Sequence, residues 1–152
     1  MKKIGLFPGS FDPFTKGHEE VVLKALDLFD EIVIGIGINS SKQSYFDLDK
    51  RIIHIQSLFP DQPKITINTY QKLTVDFCQD IGAQFIVRGL RDSKDFEYER
   101  SIAHMSLEIS NIETVFFLTA QRYSAINSTI VREIHKNNGS IVPFVTNSSL
   151  LV

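Results

Sequence analysis

Four short stretches of this 152-residue sequence carry side chains suited to handling phosphate. The first runs from Phe7 to His18 as Phe-Pro-Gly-Ser-Phe-Asp-Pro-Phe-Thr-Lys-Gly-His. Gly9 permits a tight turn and close backbone approach, Ser10 offers a hydroxyl beside free amides, and Thr15 can cap a helix. Gly17-His18 then places an imidazole in the first helical turn, where the helix dipole and unpaired N–H groups favour an anion. Taken alone, the stretch reads equally as a Pro/Gly-rich turn with a surface histidine. Lys42, in Asn-Ser-Ser-Lys-Gln, is by itself either a solvated loop charge or a phosphate ligand. In Arg88-Gly89-Leu90-Arg91-Asp92 two guanidinium forks could grip phosphate oxygens bidentately, or pair with Asp92 or Asp95. The fourth stretch, Tyr123-Ser124-Ala125-Ile126-Asn127-Ser128-Thr129, brings hydroxyl and amide groups into a helix start, a capping run or an anion site.

Other chemistries find no support. Cys78 is the only cysteine; it sits between Phe77 and Gln79 in a helical pattern and reads as a buried thiol. No Ser–His–Asp or Cys–His pairing is suggested, and no cluster has metal-ligand spacing. His54 and His104 fall within helical patterns and read as structural.

The elements that must position these residues alternate. Strand-like runs over 3–7, 32–38, 65–70, 85–87 and 114–118 are separated by helical spacing that starts at Thr15, at Asp47 as a cap, at Thr74, at Asp95 and at Ser128. The 32–38 run is almost wholly aliphatic and glycine, as a strand covered on both faces requires. The segment from Ser140 has no assigned element. Five strand–helix repeats predict an α/β fold, a Rossmann-like doubly wound five-stranded parallel sheet, in a single domain over 1–152. Every polar stretch falls just after a strand, at the carboxyl edge where such sheets bind ligands.

Composition bounds the rest. A 43% hydrophobic, 22% charged chain of this length can bury a core without disulfide or metal. A formal charge of −2 gives no global attraction for nucleic acid or anionic membrane, so a bound phosphate must meet a local cation cluster. There is no secretory core after Met1-Lys2-Lys3 and no run of about 20 apolar residues, so a cytoplasmic protein is expected.

The first stretch, through Thr15-Lys16-Gly17-His18, resembles the signature of the nucleotidyltransferase superfamily marked by Thr/His-x-Gly-His. Asp95-Phe96-Glu97-Tyr98-Glu99 through Ala103-His104-Met105 is similar to the phosphopantetheine adenylyltransferase family within it. The resemblance spans roughly residues 3–139. It implies transfer of an adenylyl group from ATP to 4′-phosphopantetheine, giving dephospho-coenzyme A and pyrophosphate, with Mg2+ arriving with ATP. It implies that His18 stabilises the transition state, with Ser10, Lys42 and Arg91 around the transferring group. Ser10, Lys42, Thr74 and Arg88 would bind the acceptor. ATP would be held by Ser10, Phe11, His18, Gly89, Leu90, Arg91, Glu99 and the 123–129 run, in which Asn127 replaces the usual first serine. Ser106 stands where many members carry asparagine, and the last family helix would be cut short. A homohexamer and inhibition by coenzyme A are implied as well.

Overall fold

Five strands form one parallel sheet in the computed structural model, which describes residues 1–152. They are β1 (Ile4–Gly9), β2 (Glu31–Gly37), β3 (Ile65–Tyr70), β4 (Phe85–Leu90) and β5 (Glu113–Leu118). Five helices connect or follow them: α1 (Lys16–Ala25), α2 (Leu48–Leu58), α3 (Thr74–Ile81), α4 (Ser93–Ser110) and α5 (Ser128–Lys136). The strand order is β3-β2-β1-β4-β5, so the chain winds outward from β1 to one edge and then returns to the other side of β1.

Side-chain alternation explains why helices must cover both faces. Along β2, Ile32, Ile34 and Ile36 enter one apolar cluster while Val33 enters another. The same split divides Phe7 from Leu6 on β1 and Val87 from Ile86 on β4. Val21, Val22 and Ala25 of α1 and Ile55 of α2 complete the first cluster; Val75, Phe77 and Cys78 of α3 complete the second. Full burial of each large side chain stabilises the fold by about 1.5–3 kcal/mol. The expected doubly wound sheet is present.

Element ends differ in instructive ways. β4 extends three residues past the expected Val87, so Arg88, Gly89 and Leu90 are strand residues hydrogen-bonded in register with Phe116, Phe117 and Leu118. Arg88 is thereby fixed by the sheet, not by a loop. Asp47 occupies the cap position of α2 but its side chain makes no capping bond. Asp92, not a residue of the expected start at Asp95, caps α4, accepting from the Asp95 N–H at 2.9 Å.

The unassigned C-terminal segment packs as a third cluster. Ile141, Val145 and Leu151 close on Val131 of α5 and on Phe46. The Phe144 carbonyl accepts from Lys16 N–H at the start of α1 (2.9 Å), and Thr146 donates to Glu19 (3.0 Å). His54, fully buried, meets the Thr146 carbonyl at 2.7 Å through Nε2, the structural role expected for it. His104 is exposed on α4. No helix is long and apolar enough to cross a membrane.

Candidate active site

The topological switch lies between β1 and β4, and the cleft opens there at the carboxyl ends of the strands. Its first wall is the loop from Ser10 to Thr15. Phe11 adopts a left-handed backbone (φ 47°), a conformation costing about 1–3 kcal/mol that persists only where surroundings impose it. Its buried ring packs on Phe7 and Phe14 and covers Gly9, where any Cβ would lie 2.9 Å from the ring. Four side chains from elsewhere then pin carbonyls of this loop and of the end of β1. Arg88 donates to Pro8 (2.6 Å), Arg51 to Ser10 (2.6 Å), Arg132 to Asp12 (2.8 Å) and Ser128 to Pro13 (3.0 Å).

His18 is set by the start of α1. Thr15 and His18 form a capping box in which histidine takes the place of the usual Glu or Gln. The Thr15 backbone N–H donates to His18 Nδ1 at 3.0 Å. Nδ1 is therefore the acceptor nitrogen, and the proton of the neutral ring sits on Nε2, on a side chain that lines the cleft. Desolvation, then the charges of Arg88 and Arg91, push the imidazole down to about 3, so the ring is neutral near pH 7. A neutral N–H donor results.

The cations are held by acids. Arg88 donates Nε and Nη2 to the two oxygens of buried Glu99, at 3.0 and 2.7 Å. Arg91 grips Asp95 through Nε (2.9 Å) and Nη2 (3.0 Å), and its side-chain hydrogen bonds hold the Asp95 carboxyl below the usual carboxylate range. Of the two partners the sequence left open for this pair, Asp95 serves Arg91 while Asp92 caps α4. Glu99 was legible only through family resemblance, since eleven residues separate it from Arg88. The far wall is the start of α5, where the Asn127 side chain accepts from Thr129 N–H (2.8 Å) and Ile130 N–H (3.3 Å).

This cleft, about 290 Å³, gathers Ser10, Phe11, His18, Arg88, Gly89, Arg91, Glu99, Tyr123, Ile126, Asn127, Ser128 and Thr129 from the residues singled out in the sequence. Gly89 approaches Val21 of α1 so closely that a Cβ would stand 2.7 Å from its Cγ2. Thr74 lies elsewhere, in an adjoining cavity of about 250 Å³ with Tyr70, Ile86, Ile102, Ala103 and Ser106. Thr74 is not the cap of α3; that position is Leu73, and the Thr74 hydroxyl is hydrogen-bonded to Tyr70 at 3.0 Å. The two cavities share Pro8, Gly9, Arg88 and Glu99. Lys42, on an exposed turn, and Leu90, Ser124 and Ala125 line neither. Asp12, Arg51 and Arg132, which hold the loops, gave no sequence signal because each has a backbone partner more than thirty residues away along the chain. No group of three His, Cys, Asp or Glu side chains is disposed to hold a metal ion.

Residues 6–134 match the family model described as cytidylyltransferase-like. The chain is similar to a phosphopantetheine adenylyltransferase of Bacteroides thetaiotaomicron, 49% identical over 145 residues, covering 95% of each chain. It is similar to the enzyme of that name from Flavobacterium psychrophilum, 47% identical over 91% of each chain. A third, from Lachnoclostridium phytofermentans, is 43% identical over 99% of this chain and 93% of its own. Among solved structures, a bifunctional NMN adenylyltransferase/ADP ribose pyrophosphatase from Francisella tularensis superposes with a TM-score of 0.68 at 20% identity, a likeness of fold. It covers 99% of this chain, which spans about half (49%) of that protein. By sequence, fold and the cleft at its switch point, the chain belongs to the phosphopantetheine adenylyltransferase family.

Proposed function

We propose that this chain, with residues 1–152 acting as a single nucleotidyltransferase domain, transfers the adenylyl group of ATP to 4′-phosphopantetheine, giving dephospho-coenzyme A and pyrophosphate. The observation that carries this reading is the meeting of two cavities at Arg88. One is lined by arginines, hydroxyls and two helix starts, suited to a triphosphate. The other carries Tyr70, Thr74, Ile86 and Ile102, suited to an uncharged amide-and-methylene arm. A substrate with such an arm and a terminal phosphate would place that phosphate at Arg88, facing the nucleotide.

An oxygen of the acceptor phosphate attacks the α-phosphorus, the bond to the β-phosphate bridging oxygen breaks, and pyrophosphate departs with that electron pair. The attacking oxygen is already anionic, since phosphate monoesters lose their second proton near pH 6. No general base is required; positioning and charge stabilisation suffice. His18 Nε2–H donates to the α-phosphate as negative charge grows there. Ser10 and Arg91 flank the leaving phosphates, Lys42 would reach them from its exposed turn, Glu99 keeps Arg88 aimed, and Gly89, Tyr123 and residues 126–129 hold the nucleotide. Mg2+ enters as part of the nucleotide substrate, because Asp95 and Glu99, the cleft's carboxylates, are engaged by arginines. The reaction belongs to the cytoplasm. Assembly as a homohexamer and coenzyme A as inhibitor both rest on the family alone.

Incubation with ATP, Mg2+ and 4′-phosphopantetheine, with the product identified by mass, tests the reading. Pyrophosphate release with nicotinamide mononucleotide or glycerol phosphate but not with 4′-phosphopantetheine would replace the acceptor. ATP binding with no release from any acceptor would make the protein a nucleotide sensor.

A further inference from the structure

Lys42 sits on an exposed turn between β2 and α2, clear of both cavities. What fixes that segment is a pair of charged side chains buried beneath it. Asp12, 7% exposed, spends both carboxylate oxygens on backbone N–H groups: Tyr45 donates to Oδ2 at 2.7 Å and Phe46 to Oδ1 at 2.9 Å. Arg51, 5% exposed, donates Nε to the Phe46 carbonyl (3.0 Å) and Nη2 to the Ser44 hydroxyl (3.0 Å). Its Nη1 reaches back to the Ser10 carbonyl at 2.6 Å.

Burying two charges is costly unless each is fully hydrogen-bonded. Here neither is bonded to the other: Asp12, itself in the loop that leads to His18, holds the main chain at residues 45 and 46, and Arg51 ties Ser44 and Phe46 to the Ser10 carbonyl of that loop. A turn that merely linked β2 to α2 would need no such anchorage. Three residues separate Lys42 from Tyr45, so the anchor confines the lysine's Cα to within about 10 Å of a fixed point.

We infer that Asp12 and Arg51 are positioning residues for the transfer reaction: they lock the Lys42 segment to the first loop, so that Lys42 and His18 hold a set relation across the nucleotide. The inference rests on the reading of Lys42 as a ligand of the transferring phosphates. Misplacement of a catalytic group by about 1 Å can cost about 100-fold in rate.

A double-mutant cycle tests it. Asp12→Asn keeps the shape but points an N–H donor at a backbone N–H. It should lower kcat by about 10- to 100-fold while KM for ATP shifts less than about threefold. In a Lys42→Ala background the same change should cost less than about twofold, since the group it positions is gone. Hydrogen exchange at residues 39–46 should quicken while β1 and β4 stay protected. Arg51→Lys keeps the charge but cannot make three directed bonds. It should follow the same pattern, and it serves alone if Asp12→Asn does not fold. An equal loss in both backgrounds, with Lys42→Ala itself impaired, overturns the inference and leaves the Lys42 assignment standing. Wild-type turnover in Lys42→Ala shows the assignment itself to be wrong, and the inference falls with it.

Discussion

If His18 is a neutral donor and not a proton carrier, a glutamine should replace it in part and an alanine should not. The Thr15 N–H fills Nδ1, leaving Nε2–H as the ring's free donor, and burial together with two arginines lowers the ring's affinity for a second proton to about 3. His18→Ala removes one donor from the developing charge. Loss of such a donor costs about 100- to 1,000-fold in kcat, or about 2.7–4 kcal/mol. His18→Gln restores a neutral N–H, and its Oε1 can accept from the Thr15 amide as the usual capping-box glutamine does, so it should recover about tenfold of the alanine's loss. The assay is pyrophosphate release at saturating ATP and acceptor, and then kcat/KM from pH 5.5 to 8. The acceptor phosphate titrates near pH 6 by itself, so the wild-type-to-glutamine ratio is the quantity to follow. That ratio should be flat. A ratio that bends near pH 6.5 would mean the imidazole exchanges its proton during turnover, and the donor role would be refuted.

Three further outcomes follow from the same geometry. Arg88→Ala should raise the acceptor KM at least about tenfold and lower stability by about 1–3 kcal/mol, because buried Glu99 loses its partner. Calorimetric ATP affinity should change little, and its collapse would assign Arg88 to the wrong ligand. Gly89→Ala sets a methyl 2.7 Å from Val21 Cγ2 and should lower the urea midpoint by the equivalent of about 1–3 kcal/mol, with weaker ATP binding; an unchanged midpoint would mean α1 gives way freely. The His18 ring titrates at about 3 when folded and near the ordinary imidazole value of 6.5 when unfolded, so the unfolded chain binds the extra proton between those pH values. Its contribution to stability is whole above pH 6.5 and drains away as the pH falls toward 3. Wild type should therefore lose more stability than His18→Gln between pH 7 and 5, and parallel melting curves would contradict this.

What the sequence revealed was whatever is local. The aliphatic run of β2, the Thr15 cap and the spacing of α1 and α3 each arise from neighbours within a turn or two, and the structure keeps them. Chemistry-bearing residues after strands were visible for the same reason. The extent of β4 was not, because its polar last residues, Arg88 and Gly89, take strand geometry from pairing with β5. The tail was unreadable since its apolar residues follow no helix or strand period and one cluster partner, Phe46, lies far back along the chain. Pairings such as Glu99 with Arg88, or Asp12 with the amides of Tyr45 and Phe46, obey no sequence period and had to await the folded chain.

Three of the four pins on the cleft's first wall come from Arg88, Ser128 and Arg132, at separations of 80, 115 and 120 residues from the carbonyls they hold. A nascent chain short of α5 therefore lacks two of the side chains that hold that wall. Catalytic output becomes a count of completely folded molecules: under rising urea, residual turnover should track the native fraction, and a refolding enzyme should regain activity only when its last helix docks.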